Sequence, residues 1–313
     1  MLQINRDKGR VGADGKFRLW TQIETDFLDD YSSKIEGRLE EVINKSRKKD
    51  RKKFLNWCKA NVRTWMVAKP REIQKAKKEV DKRYDELSDK DKKCVLDKLK
   101  WAYNYKNYRP VELAGWLNVK TCPYCNMQYT LYALEKRNKG VAVLQYDHFI
   151  PQTKYPMFSM SLYNLIPSCG ACNNGKGEKE WNLAYHPYYT SIGDKMRFRV
   201  KNPLALLIGR EEAIEIQTVH PSGQAWKNFD KATHVEELYK RHQDVAHEVF
   251  GRAYAYRYYK EIKVPGLGDD NAFWERILKG FYPNTDDIEK RPLTKLQQDL
   301  WKQVEDYGIN IDK

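Results

Sequence analysis

An α+β fold is expected, with a strand-containing core set between two mainly helical regions. Three observations carry that expectation. Apolar residues recur at helical spacing over residues 20–100 and again from Phe229 onward. Residues 127–148 alternate as a hairpin does. Two Cys-x-x-Cys pairs bracket the stretch from Cys122 to Cys172. The 313 residues allow about two domains, or one large domain with appendages. The division expected is a basic helical region over 1–110, a core over 111–190, and a mixed, then helical, region over 191–313.

In the first region Leu28, Tyr31, Ile35, Leu39, Val42 and Ile43 fall on one helical face, and the basic run Lys45–Lys53 follows. A second helical segment runs from Phe54 to about Val67, before Pro70. A third, Glu72 to Tyr103, is heavily charged, and Ser88 with Asp89 and Asp91 predicts a capped break near residue 88. The character changes around Pro110. Met127, Tyr129 and Leu131 alternate, Arg137–Gly140 supplies a turn, and Val141, Val143, Leu144 and Tyr146 return. Short β-like runs follow at Met196–Val200 and Ala213–Val219. Val235, Leu238, Tyr239, His242 and Val245 then resume the helical period, with further helices over 270–281 and Leu293–Tyr307.

Lysine and arginine number 57 against 43 aspartates and glutamates, a net charge of +14. Residues 1–110 hold 30 basic and 18 acidic side chains, an excess of 12, so nearly all of the imbalance sits in the first third. A polyanion, nucleic acid first, is the natural partner for such a surface. Mean hydropathy is −0.83 and no apolar run approaches the length of a membrane span. The opening residues lack an apolar leader, so a cytoplasmic location without membrane association is expected. Aromatic residues at 13% argue against general disorder.

Of six cysteines, Cys58 and Cys94 stand alone inside helical patterns and read as small packed hydrophobes. Cys122-Pro-Tyr-Cys125 and Cys169-Gly-Ala-Cys172 read as two metal knuckles. Two residues between thiolates let both sulfurs face one ion, and two such turns complete a tetrahedral zinc site. The 43 residues between the pairs exceed ordinary ribbon spacing, so a further unit is built between the knuckles.

That unit carries Asp147-His148 at a strand end, Asn164 sixteen residues past His148, and Asn173 directly after the last cysteine. Phosphodiester hydrolysis needs a base for water and a divalent ion for developing charge. A carboxylate suits Mg²⁺, and a histidine near its ordinary pKa is largely neutral at pH 7. Adjacent strand residues face opposite sides, so twist or a bulge must bring Asp147 and His148 to one site. By itself an Asp-His pair is commonplace in surface loops; the asparagines and knuckles around it are what point to catalysis.

In these residues the chain resembles the HNH, or ββα-metal, endonucleases in their His-Asn-Asn form. The resemblance runs through Asp147-His148-Phe149-Ile150-Pro151 and from Asn164-Leu165-Ile166-Pro167 to Lys176, roughly residues 120–178 in all. It implies a zinc-stapled ββα-metal core with His148 as general base. Asp147 and Asn173 would bind one catalytic Mg²⁺ or Mn²⁺, Asn174 being an alternative ligand one residue on. Asn164 would pin the loop that orients His148, and Cys122, Cys125, Cys169 and Cys172 would hold structural zinc. The last motif position has asparagine where the usual form has histidine, which favours harder ions.

Lys176 and, more weakly, Lys154 are candidate phosphate contacts, solvated lysines being the alternative. His186 reads first as a packed histidine and second as a residue within reach of the site. The layout resembles stand-alone bacterial HNH proteins of the PtuB-like type, which work beside an ATPase in anti-phage defence. The function expected is therefore metal-dependent cutting of nucleic acid, double-stranded DNA first. The helical regions would contact the duplex or a protein partner such as an ATPase or sensor. An RNA-cleaving nuclease and a non-catalytic zinc-stabilised binding module are the alternatives.

Overall fold

Helix α1, Trp20–Asn44, opens the computed structural model's principal helical layer. The model describes residues 3–4, 9–104, 110–134, 140–203, 206, 210, 213–259 and 271–307. Trp20, Ile23, Phe27, Tyr31, Ile35, Leu39 and Val42 of α1 are buried, at the three- and four-residue steps of an amphipathic helix. Helices α2, Lys49–Ala60, and α3, Val62–Met66, follow with a break at Asn61. The charged third segment is two helices, α4, Pro70–Asp85, and α5, Asp89–Tyr103. Pro70 sits in the first turn of α4, where its missing N–H costs nothing. Ser88 caps α5, its hydroxyl accepting the Asp91 N–H at 3.2 Å. Ser88→Ala is expected to lower stability by about 1 kcal/mol, read as a shift in urea midpoint. Lys48 and Arg51 of the basic run pair with Asp91, so only part of that run faces water unpartnered by the helices.

The chain divides into two compact units. One comprises residues 4–119 and 130–190. Here α1 packs on α2, α3 and α5, and both α3 and α5 pack on the Pro156–Phe158 turn. Trp65 meets Phe158 edge-on at 5.4 Å, Tyr155 donates to Asp81 at 2.7 Å, and Trp20 and Tyr188 flank Tyr163. The aromatic positions of the helical layer thus hold the segment that leads from His148 to Asn164. Helix α6, Val111–Leu117, packs against two short strands, β3, Tyr132–Leu134, and β4, Gly140–Ala142. These pair antiparallel with Tyr132 opposite Ala142, as the alternating pattern predicts; the turn residues 137–139 lie outside the described ones. Strand β5, Gln145–His148, does not prolong that hairpin. It pairs antiparallel with β6, Leu165–Ser168, and helix α7, Gly170–Lys176, follows directly. An N-terminal pair, β1, Arg10–Val11, with β2, Phe17–Arg18, is also antiparallel.

The other unit comprises residues 1–3, 120–129 and 191–313. Strands β7, Arg197–Val200, and β8, Ile216–Val219, pair antiparallel where the β-like runs were expected. Helices α8, Gln224–Thr233, α9, Val235–Tyr239, α10, Gln243–Tyr259, α11, Asn271–Lys279, and α12, Thr294–Asp306, complete the unit; α9 packs on β8, α12 on β7, and α10 on α11 and α12. Side chains of α12 close the β7 backbone: Asp299 accepts the Phe198 N–H, while Gln303 both accepts from and donates to Val200. That occupies an edge otherwise open to another strand. Among the described residues no helix is long and apolar enough to cross a membrane. The architecture is a mixed α+β one with small antiparallel strand pairs.

Candidate functional site

The four knuckle cysteines are buried, and their sulfurs all lie within 4.8 Å of one another. Four thiolates at Zn–S distances of about 2.3 Å fit such a cluster, so the donor set suits a structural metal ion and zinc in particular. The local backbone explains the convergence. Cys122 and Cys125 sit in a turn closed by the Cys122 N–H on Gln128 O and the Asn126 N–H on Cys122 O. Asn126 adopts φ 53°, a left-handed conformation that asparagine tolerates better than most residues. Its side chain donates to Thr121 and to the Ile288 carbonyl and accepts the Lys295 N–H. The Met127 N–H points at the Cys125 sulfur at 3.4 Å, the contact that steadies a thiolate. Cys169 is the residue before α7 and accepts the Asn173 N–H at 3.0 Å. Cys172 lies inside that helix.

Asp147, His148, Asn173 and Asn174 line one cavity of about 320 Å³, together with Tyr146, Pro151, Gln152, Thr153, Gly177 and Glu178. The β5–β6 register runs unbroken from Gln145 opposite Ser168 to His148 opposite Leu165. No bulge is therefore spent in bringing the adjacent Asp147 and His148 to this cavity. The strand end and the turn after it do so.

His148 is buried, and its Nε2 lies 3.0 Å from the Ser159 carbonyl. A carbonyl only accepts, so Nε2 carries the proton and the ring's lone pair is on Nδ1. Burial pushes the His148 pKa down to about 4; the Lys176 charge acts the same way and the Ser159 carbonyl opposes both. The imidazole is therefore neutral at pH 7.

Asn164 cross-links the segment between them. Its Oδ1 accepts the Ile150 N–H at 2.7 Å, and its Nδ2 donates to Ile150 O at 3.1 Å and Phe158 O at 2.9 Å. Asn164→Ala removes three buried hydrogen bonds and strands their backbone partners. A loss of roughly 3–4 kcal/mol is expected in denaturant melting, with faster hydrogen exchange over 149–159. A variant as stable as wild type would refute that assignment.

The Asn173 amide donates to Gln145 Oε1 at 2.7 Å, which leaves Oδ1 as its acceptor atom. Lys176 is fully buried: its ammonium donates to Asp147 Oδ1 at 2.9 Å and to the His148 carbonyl at 2.8 Å. Lys154 is exposed, just beyond the cavity-lining Gln152 and Thr153. His186 is buried against the Phe149 ring, centroids 4.2 Å apart, and its Nδ1 accepts the Tyr188 N–H. It is a packed histidine, outside the cavity lining.

Three contributors went unread in the sequence: Gln145, Glu178 and the Ser159 carbonyl. Gln145 carried a signal, since residues two apart on a strand share a face and Gln145 is two before Asp147. A backbone carbonyl eleven residues from its histidine carries none.

The arrangement offers a neutral imidazole of fixed tautomer, a carboxylate and an amide oxygen around one solvent-accessible space. No protein-family model and no solved structure matches the chain. A stretch of 91 residues, 27% of this chain, is 49% identical to Protein ea31 of Escherichia phage lambda, and the match spans only 29% of that protein's length.

Proposed function

We propose that this chain is a metal-dependent HNH endonuclease that hydrolyses phosphodiester bonds, DNA being the first substrate to test. The observation that carries the reading is the convergence of Asp147, His148 and Asn173 on one cavity. A strand pair followed by a helix presents them, and Asn164 ties the intervening segment. The excess of 12 basic residues over 1–110 supports a polyanionic substrate.

His148 acts as general base. The Ser159 carbonyl holds the proton on Nε2, so Nδ1 is the atom that accepts a proton from water. An anionic phosphodiester beside the ring raises its pKa from the low resting value toward neutrality. The residues present fit a hard divalent ion: the Asp147 carboxylate and the Asn173 amide oxygen would hold it, with water completing the shell. When bound, Mg²⁺ or Mn²⁺ supplies charge neutralisation at the phosphoryl and leaving-group oxygens. Asn164 positions His148 through the backbone it clamps. Zinc on the four cysteines would fix α7, and with it Asn173.

Plasmid cleavage with and without Mg²⁺ or Mn²⁺, wild type beside His148→Ala, tests the reading. Binding to duplex DNA in EDTA-free, Mg²⁺-free buffer is expected to weaken steeply with salt, at least tenfold between about 50 and 200 mM. A flat salt response would assign the basic region to a protein partner instead.

A further inference from the structure

The buried ion pair behind the cavity has a consequence for how the site is loaded. Lys176 has 0% exposure, and Asp147 is 1% exposed. The ammonium is tied to both Asp147 Oδ1 and the His148 carbonyl, and it lies 5.9 Å from the centroids of both the Phe149 and Trp181 rings. A lysine so enclosed cannot leave its carboxylate as a surface lysine does. Its backbone belongs to α7, the helix that also contains Cys172 and Asn173.

The charges then nearly cancel. Asp147 and Lys176 neutralise each other, and Asn173 and Asn174 carry no charge. Glu178 is the other acidic side chain of the lining, and it is exposed to water at the rim. Protein sites that retain a hard divalent ion by themselves gather several carboxylates. This cavity has one buried carboxylate, which already has a cation, and one exposed at the rim.

We infer that Lys176 is a resident counter-ion for Asp147, so that the cavity takes a divalent cation weakly by itself and strongly together with a phosphodiester. The phosphate brings the negative charge that the protein withholds. Metal and nucleic acid then bind cooperatively, each raising the other's affinity by the same factor. Lys176 is in this role a positioning and charge-setting residue that acts through Asp147. The inference rests on the nuclease reading, because it takes the phosphodiester as the co-ligand.

The test is Mn²⁺ titration of the zinc-loaded full chain, with free Mn²⁺ read by electron paramagnetic resonance. Wild type without nucleic acid is expected to bind no tighter than about 1 mM, the weak end for oxygen-ligand sites. Micromolar binding of one Mn²⁺ overturns the inference. Lys176→Gln removes the resident cation and is expected to tighten Mn²⁺ alone about tenfold or more. A folded Lys176→Gln chain that binds Mn²⁺ no tighter than wild type also overturns it. A third arm needs no lysine variant: a duplex oligonucleotide is added to the His148→Ala chain, which is expected to cut it far more slowly than wild type. Mn²⁺ affinity should rise about tenfold, and an unchanged affinity with the oligonucleotide bound overturns the inference. If no oligonucleotide binds, the nuclease reading fails and the phosphodiester half of the inference with it. The wild-type and Lys176→Gln titrations then decide the counter-ion role by themselves.

Discussion

Replacing Cys169 with serine is expected to abolish metal retention and to unfold or aggregate much of the protein. The four sulfurs lie within 4.8 Å of one another and all are buried. Four thiolates so close in a low-dielectric site repel one another unless a cation neutralises them. A serine hydroxyl is a poor soft-metal ligand, so the variant keeps three thiolates around an incomplete tetrahedron. Losses of this class exceed about 4 kcal/mol, near the whole stability of many domains. The measurement is zinc per chain by elemental analysis, alongside thermal melting. Wild type should carry one zinc and Cys169→Ser well under half of that. Cys94→Ala is the control, because Cys94 stands apart from the four and is only partly buried; its zinc content should equal that of wild type. The same substitution should damage the cavity, since Cys169 directly precedes α7, the helix that carries Asn173. A Cys169→Ser chain that remains folded, metal-loaded and active would separate the knuckles from the site altogether.

The second large effect is on catalysis. His148→Ala is expected to cut DNA about 10²- to 10⁴-fold more slowly than wild type in Mg²⁺ or Mn²⁺, the usual worth of a general base. Stability should fall by only about 1–3 kcal/mol, from the lost contact to the Ser159 carbonyl and the small void left behind. The contrast with Cys169→Ser is the useful part, because His148→Ala is expected to fold without function and Cys169→Ser to lose its fold. Metal-dependent cutting at the wild-type rate by His148→Ala would remove His148 from the chemistry. No cutting by folded, zinc-loaded wild type on DNA or RNA would favour the binding-module alternative.

Much of the local structure was legible because it depends on neighbours along the chain. The spacing from Tyr31 to Val42 makes one amphipathic helix face wherever it packs. Ser88 caps α5 through an N–H three residues away. The Cys-x-x-Cys spacing creates a chelating turn by itself. The paired runs at Arg197–Val200 and Ile216–Val219 alternate as half-buried strands must.

Other features were not legible. Val143–Tyr146 reads as the return strand of a hairpin, yet β5 begins at Gln145 and pairs with β6, across a segment that periodicity does not resolve. Lys176 reads as a phosphate contact or a solvated helix lysine. Its burial against Asp147, Phe149 and Trp181 depends on where α7 meets the end of β5. The tautomer of His148 is set by a carbonyl at Ser159, which has no side-chain signature.

The sequence by itself determined residue chemistry and short-range geometry: which thiolates come in pairs, which carboxylate neighbours which imidazole, and where helices start. Those depend on bond lengths, turn sizes and periodicity within a few residues. The tertiary structure decided which groups share a buried space, and so which charges cancel and which proton is held. Those depend on desolvation and on contacts between residues tens of positions apart, as with Lys176 and Asp147, where a local pattern holds no information.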